Sequence, residues 1–232
     1  MTSVSVVIPW RGGDEHRERN LALLLRCWRD DHSDWQVVLG EHDDGPWCKA
    51  AAVAAGLERA EGDVLVIADA DVWVDDLDRA VAALELHEAA WVVPHRDVRR
   101  LSLEGTAHVH AGGVWIEAAI EHRGCYVGHE GGGVVVLRRA LYDEVPLDRR
   151  FEGWGQEDDS WALALRTIAG RPWRGSEPLW HLWHPPQPRL ERKVGSMESQ
   201  RLWLRYRHLA EQRDVAAMRA LVNAGRVAPS RH

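Results

Sequence analysis

The sequence predicts an α/β fold, a mixed and mainly parallel central sheet covered by helices, with a helical extension at the C-terminal end. Three observations lead there. Short apolar runs rich in β-branched residues, Val4 to Pro9, Trp35 to Leu39 and Asp63 to Ala68, are too brief for helices. Longer segments of helical period separate them, the alternation expected of a sheet with covering helices. From Ser196 onward, Trp203, Leu204, Leu209 and Leu221 recur at helical spacing.

The first strand ends at Pro9 and opens into a loop, Trp10 to Gly13. Asp14 is placed to cap a helix whose apolar face includes Leu21, Leu24, Leu25 and Trp28. After the second strand comes the polar turn Glu41 to Pro46, then an Ala-rich helix from about Lys49 to Arg59. The third strand delivers Asp69-Ala70-Asp71 at its C-terminal end. In parallel sheets the ligand crevice lies beyond the carboxyl ends of the strands. Three loops should converge there: Trp10 to Gly13, Glu41 to Pro46, and Asp69 to Asp71.

The second half predicts a helix over Asp76 to Leu86, a strand at Ala90 to Val93 and a polar loop from His95 to Thr106. Gly131-Gly132-Gly133 precedes a strand, Val134 to Leu137. A helix opens with Glu157-Asp158-Asp159 and should bury Trp161, Leu165 and Ile168. With no internal repeat or low-complexity linker, residues 1–190 read as one domain and 191–232 as helices packed on it. Those helices should support the fold without performing chemistry, with Arg201, Arg205 and Arg207 as a solvated face.

A formal charge of −7 argues against broad attraction to nucleic acid or anionic membrane. Cys27, Cys48 and Cys125 are odd in number and widely spaced, which gives neither a disulfide framework nor a thiolate zinc site. A start without a basic, apolar leader and the lack of a long apolar run point to a soluble, cytoplasmic protein.

Chemistry is expected at four places. Asp69 and Asp71 make an oxygen-rich strand end able to hold a divalent cation against a diphosphate, although most Asp-x-Asp pairs are solvated turns or caps. Glu157, Asp158 and Asp159 suit ordinary helix capping, but capping does not explain the Gly153-Trp154-Gly155 stretch before them. Those glycines let backbone approach a ligand, and Trp154 offers a flat face to a sugar ring or, as plainly, to the core. His181 and His184, braced by two prolines, could add an imidazole ligand. Arg11 and Lys49 sit where phosphate contacts are needed, unlike Arg138 and Arg139.

Taken in order, Val7-Ile8-Pro9-Trp10-Arg11, Asp69-Ala70-Asp71, Gly131-Gly132-Gly133-Val134, Gly153-Trp154-Gly155-Gln156-Glu157-Asp158 and His181 to His184 resemble the GT-A glycosyltransferases. The likeness is to the galactosyltransferase-like group, which includes β-1,4-galactosyltransferases and polypeptide N-acetylgalactosaminyltransferases, and spans about residues 4–186. It implies Mn²⁺ (or Mg²⁺) on Asp71 and either His184 or His181, with Asp69 toward the ribose. It also implies a donor site at Pro9, Arg11, Asp43, Asp44, Lys49, Gly132 and Gly133. Acceptor would meet Trp154, Gly155 and Glu157, and Glu157 and Asp158 match the catalytic pair. Two positions depart from the group: Gln156 replaces the second glycine of Trp-Gly-Gly, and Cys48-Lys49 stands where Asn-Arg is common.

The implied activity is transfer of a sugar from a nucleoside-diphosphate sugar, by default a uridine diphosphate sugar, to an acceptor hydroxyl with inversion. The acceptor is open and includes a modified nucleic-acid base, and the oligomeric state is open too. One rival is a nucleotidyltransferase making nucleotide-sugars, but Trp10 to Gly13 is too short for its glycine-rich basic signature. The other is a non-catalytic sugar-binding protein, which would not need Asp71, Asp158 and His184 together.

Overall fold

The computed structural model describes residues 2–153, 155–185 and 196–226. Trp154 therefore lies outside the described residues, as does Pro186.

The chain alternates strands and helices as β1 (Val4–Trp10), α1 (Glu15–Asp31), β2 (Gln36–Glu41), α2 (Lys49–Leu57), β3 (Val64–Ala68) and β4 (Val72–Val74). There follow α3 (Leu77–Glu85), β5 (Trp91–Leu101), α4 (Leu103–His110), β6 (Ile120–Tyr126), β7 (Val134–Arg138), α5 (Arg139–Glu144) and α6 (Glu157–Ala169). The last elements are β8 (Trp173–His181), α7 (Ser196–Gln212) and α8 (Val215–Ala224). Among the described residues the strands form one mixed sheet in the order β2-β1-β3-β7-β5-β8-β4, with β6 on the outer part of β5. Strands β2, β1 and β3 are mutually parallel, and β5 is parallel to β8. β7 runs antiparallel between β3 and β5, and β4 antiparallel on β8.

The central strands read as apolar runs because both of their faces are covered. In β3, Val64, Val66 and Ala68 face one core while Leu65 and Ile67 face the other, and β7 splits Val134 and Val136 from Val135 and Leu137 in the same way. Helices α1 and α3 close the first core through Leu21, Leu24, Trp28, Leu77 and Leu84. The second is closed by α2, α6, α7 and α8 through Val53, Trp161, Leu165, Tyr206, Met218 and Leu221. Asp14 caps α1 as expected, accepting from the Arg17 N–H at 2.9 Å. Ile168 only packs partly buried against the second core.

The segment expected as a loop from His95 to Thr106 is different. β5 continues to Leu101, Ser102 caps a new helix by accepting from the Gly105 N–H, and α4 runs on to His110. The polar residues of this stretch pair with β6 and β8 across register shifts, so no alternation is left to read.

His95 of β5 is 1% exposed, and its Nδ1 has no hydrogen-bond partner among the described residues. Burial, with the nearby Arg174 charge, pushes its pKa down to about 4. A depressed folded-state value means that unfolding is favoured by proton uptake. Stability from this group should be complete above pH ~6.5, fall as pH drops toward 4, and amount to about 3 kcal/mol. Chemical denaturation between pH 7 and 4 should show a shallower loss for His95→Asn than for the parent chain. Equal slopes would assign the acid loss elsewhere.

Candidate active site

Parallel strands β1 and β3 end on one side of the sheet, and β7 begins there because Val134 pairs with Ala68. The loops at these ends wall a cleft of about 940 Å³. Pro9, Arg11, Lys49, Asp69, Asp71, Gly132, Gly133, Glu157, Asp158, His181 and His184 all line it.

The short strand β4 decides where Asp71 lies. Val72 pairs with His181, and the Leu182 N–H donates to the Asp71 carbonyl at 2.8 Å, which draws the end of β8 beside the end of β3. His184 Nε2 then sits 3.1 Å from Asp71 Oδ2, and His181 Nε2 sits 3.9 Å from Oδ1. Asp71, His181 and His184 each present one ligand atom, all within 4.8 Å of one another. The Thr106 hydroxyl accepts from the Trp183 N–H at 2.7 Å and Asn20 donates to the Trp183 carbonyl at 3.0 Å, which fixes the histidine segment.

The protonation states suit a cation. Burial pushes the Asp71 carboxyl up, but the adjacent imidazoles outweigh it and hold the group well below the usual carboxylate range. Burial also lowers the His181 pKa, so this imidazole is neutral at pH 7. Each histidine turns Nδ1 to a backbone carbonyl, His181 to Leu182 and His184 to Pro185, both at 2.9 Å. A hydrogen on Nδ1 would leave the Nε2 lone pair free for a metal, whereas in its contact with Asp71 His184 Nε2 is the donor. Arg17 Nη2 lies 3.2 Å from the same His184 Nδ1, a donor that this tautomer has to turn away.

Asp69 does not join that group. The Lys49 ammonium is 2.7 Å from Asp69 Oδ1, and the Gly133 N–H donates to Oδ2 at 3.1 Å. Lys49 Nζ is equally 2.7 Å from Asp158 Oδ1. Lys49, expected at the donor's phosphates, is therefore buried between two carboxylates. Burial alone would lower its pKa, but Asp158 and Asp69 raise it above the ordinary lysine value.

Of the three carboxylates that open α6, Asp158 and Asp159 have separate partners. The cap position is Gln156, whose side chain makes no capping bond, and Asp158 meets Lys49 instead. Asp159 bonds the Trp203 indole N–H of α7 and lies 3.5 Å from His129. Burial and the neighbouring Asp158 charge push the Glu157 carboxyl up to about 7. Burial also raises Asp158, against the pull of Lys49. A side chain at Gly131 would overlap the Asp158 carbonyl oxygen, so only glycine admits this approach. Gln156 holds φ 67°, the left-handed region that favours glycine.

Other residues of the expected site take partners within the protein or lie off the cleft wall. Arg11 lies on the cleft wall, but its guanidinium donates to the carbonyls of His42, Gly45 and Asp44 at 2.7, 3.0 and 3.3 Å. It staples the turn rather than presenting free donors. Asp43 and Asp44 are exposed and do not line the cleft, and the Asp44 carbonyl accepts from Arg11. Gly155 is also off the wall, where Gly153 stands instead, its N–H donating to the Trp47 carbonyl at 2.7 Å. Arg138 and Arg139 bond backbone carbonyls of Leu84, Gly62 and Ala60. Sequence reasoning missed Arg17, Tyr126 and His129, and it missed Glu198 and Ser199, through which α7 reaches the cleft. Only for Arg17 was there a signal, one turn into the helix that follows the first loop.

The sequence pattern described as glycosyl transferase family 2 matches residues 20–145, more than half of the chain. The chain belongs to glycosyl transferase family 2. Its fold is GT-A, and its activity class is glycosyl transfer. GalNAc-T7, solved with UDP, GalNAc and Mn²⁺, is 13% identical with a TM-score of 0.55, over 98% of this chain and 55% of that one. This family 2 chain thus spans about half the length of that structure. Glucosyl-3-phosphoglycerate synthase from Mycobacterium tuberculosis, solved with Mn²⁺, UDP and glucosyl-3-phosphoglycerate, is 14% identical with a TM-score of 0.50, over 88% and 78% of the two chains. A Drosophila β-1,4-galactosyltransferase 7 mutant with manganese, UDP-Gal and xylobiose is 13% identical with a TM-score of 0.46, over 85% and 76%. No curated protein matches the sequence. Among the described residues no helix is long and apolar enough to cross a membrane.

Proposed function

We propose that this chain transfers a sugar from a uridine diphosphate sugar to an acceptor hydroxyl with inversion, and that Asp158 is the general base. The observation that carries the reading is the meeting, in one cleft, of Asp71, His181 and His184 with a lysine-held Asp158. Two neighbours with TM-scores of 0.50 or more were solved with UDP and Mn²⁺, which supports the donor and the cation.

Asp71, His181 and His184 would hold the cation, a mixed oxygen and nitrogen set that suits Mn²⁺. When bound, the cation neutralises diphosphate charge. Gly132 and Gly133 let the donor lie close to backbone beside Asp69. The Asp158 carboxylate takes the proton of the acceptor hydroxyl as its oxygen bonds to the anomeric carbon, and the bond from that carbon to the diphosphate breaks. Attack opposite the leaving group inverts the centre. Glu157, protonated over a wide range up to about pH 7, is suited to donate a hydrogen bond to the acceptor. The first 190 residues would form the catalytic unit, with α7 and α8 as its support.

A thermal-shift panel of nucleotide-sugars with and without Mn²⁺ tests the donor. A ligand at 100 times its Kd stabilises by about 2.7 kcal/mol. A uridine diphosphate sugar should raise Tm only with the metal present. A panel in which no nucleotide-sugar shifts Tm, or in which the metal is irrelevant, overturns the reading.

A further inference from the structure

We propose that Lys49 is a positioning residue: its ammonium clamps the base Asp158 to Asp69, fixing the base carboxylate beside the donor strand end. The inference rests on Asp158 being the base. It is not a phosphate contact in disguise, because the two nearest acceptors already occupy the ammonium at 2.7 Å each and the side chain is 7% exposed.

The clamp joins elements far apart in sequence. Lys49 opens α2, Asp69 directly follows β3, and Asp158 lies in the first turn of α6. Asp69 is held from its other oxygen by the Gly133 N–H, so the lysine is pinned against a fixed carboxylate and transmits that position to Asp158. A Cβ at Gly132 would lie 3.1 Å from Asp158 Oδ2, which leaves that second oxygen facing the cleft beside a bare backbone. One oxygen of the base is thus anchored and the other is left for a ligand.

The groups facing Asp158 are Lys49 from α2, Asp69 from the end of β3, His129 from the loop before β7 and Glu157 from its own helix. Two of these are acids, and burial works in the same direction as they do, to favour a protonated Asp158. Lys49 is the cation in direct contact that opposes them. Without it the base should hold its proton to higher pH. An opposite charge in contact moves a carboxyl by about 1–3 pH units.

The test is the pH dependence of kcat/KM for Lys49→Met and Lys49→Arg, read beside Tm and donor KM. Lys49→Met should lower kcat by about 10-fold or more and move the acid limb up by about one unit or more, with donor KM little changed. Lys49→Arg should return the acid limb toward the parent position, because the charge is restored, while kcat stays reduced because the longer side chain displaces Asp158. If Lys49→Met does not fold, Lys49→Arg carries the test through its unchanged acid limb and lowered kcat. An acid limb unmoved in Lys49→Met, or in either variant a loss confined to donor KM, overturns the proposal. Asp158→Asn separates the two readings: full turnover there removes the base assignment itself. An inactive Asp158→Asn beside an unshifted Lys49→Met removes only the clamp.

Discussion

Asp158→Asn should cut kcat by about 10²-fold or more, about 2.7 kcal/mol of transition-state stabilisation, while donor and metal binding stay near the parent values. Asparagine keeps an oxygen for Lys49 and the same volume, so the local structure has no reason to move. What it lacks is a lone pair basic enough to accept the acceptor's proton. The capping role that Asp158 could have played is absent, since Gln156 holds the cap position and no side chain caps the helix. Stopped assays with product anomers resolved by NMR check both halves of the claim. Near-normal turnover, or a product whose configuration matches that of the donor, would falsify it.

Asp71→Ala should weaken metal binding by at least about 100-fold and abolish the metal-dependent Tm shift with nucleotide-sugar. Losing only the hydrogen-bond partner behind a ligand already costs about 10–100-fold in affinity. Here the anionic member of the set is removed, and two imidazoles remain. Titration calorimetry with Mn²⁺ alone and then with donor is the direct measurement. Full activity in excess chelator, or unaltered Mn²⁺ affinity in the variant, would mean that the three side chains are only an ion pair. His184 Nε2 already lies 3.1 Å from Asp71, which is what such a structural pair looks like, so the measurement decides between two defined states.

The parts of the fold that were legible share one property. β1, β3 and β7 are covered on both faces, so their sequences are apolar runs bounded by Pro9, by Asp69 and by the three glycines. β5 was cut short at Val93 because its outer half carries His95, Arg96, Asp97, Arg99 and Arg100, which serve β6, β8 and the surface. β4 has three residues, too few for any period, yet it brings Asp71 to the histidines. The motif order placed Asp71, His181, His184 and Asp158 at one cleft. It could not show that Lys49 lies between Asp69 and Asp158, since nothing local links residues so distant in the chain. For Arg11, Asp43 and Asp44 the opposite holds: position near a crevice was legible, but the turn's internal hydrogen bonds were not.

The antiparallel strand β7 has a kinetic consequence. It is bonded to β3 on one side and β5 on the other, so the half of the cleft built from the first 71 residues and the half built from residues 129–184 stand on one continuous hydrogen-bonded floor. Such a floor has no hinge, and separating its halves would break the ladder along with two cores. Any closure over bound substrates would then fall to loops at the strand ends, outside this floor. Turnover in this enzyme should be paced by movements of a few residues and should depend little on viscosity-limited swinging of large bodies.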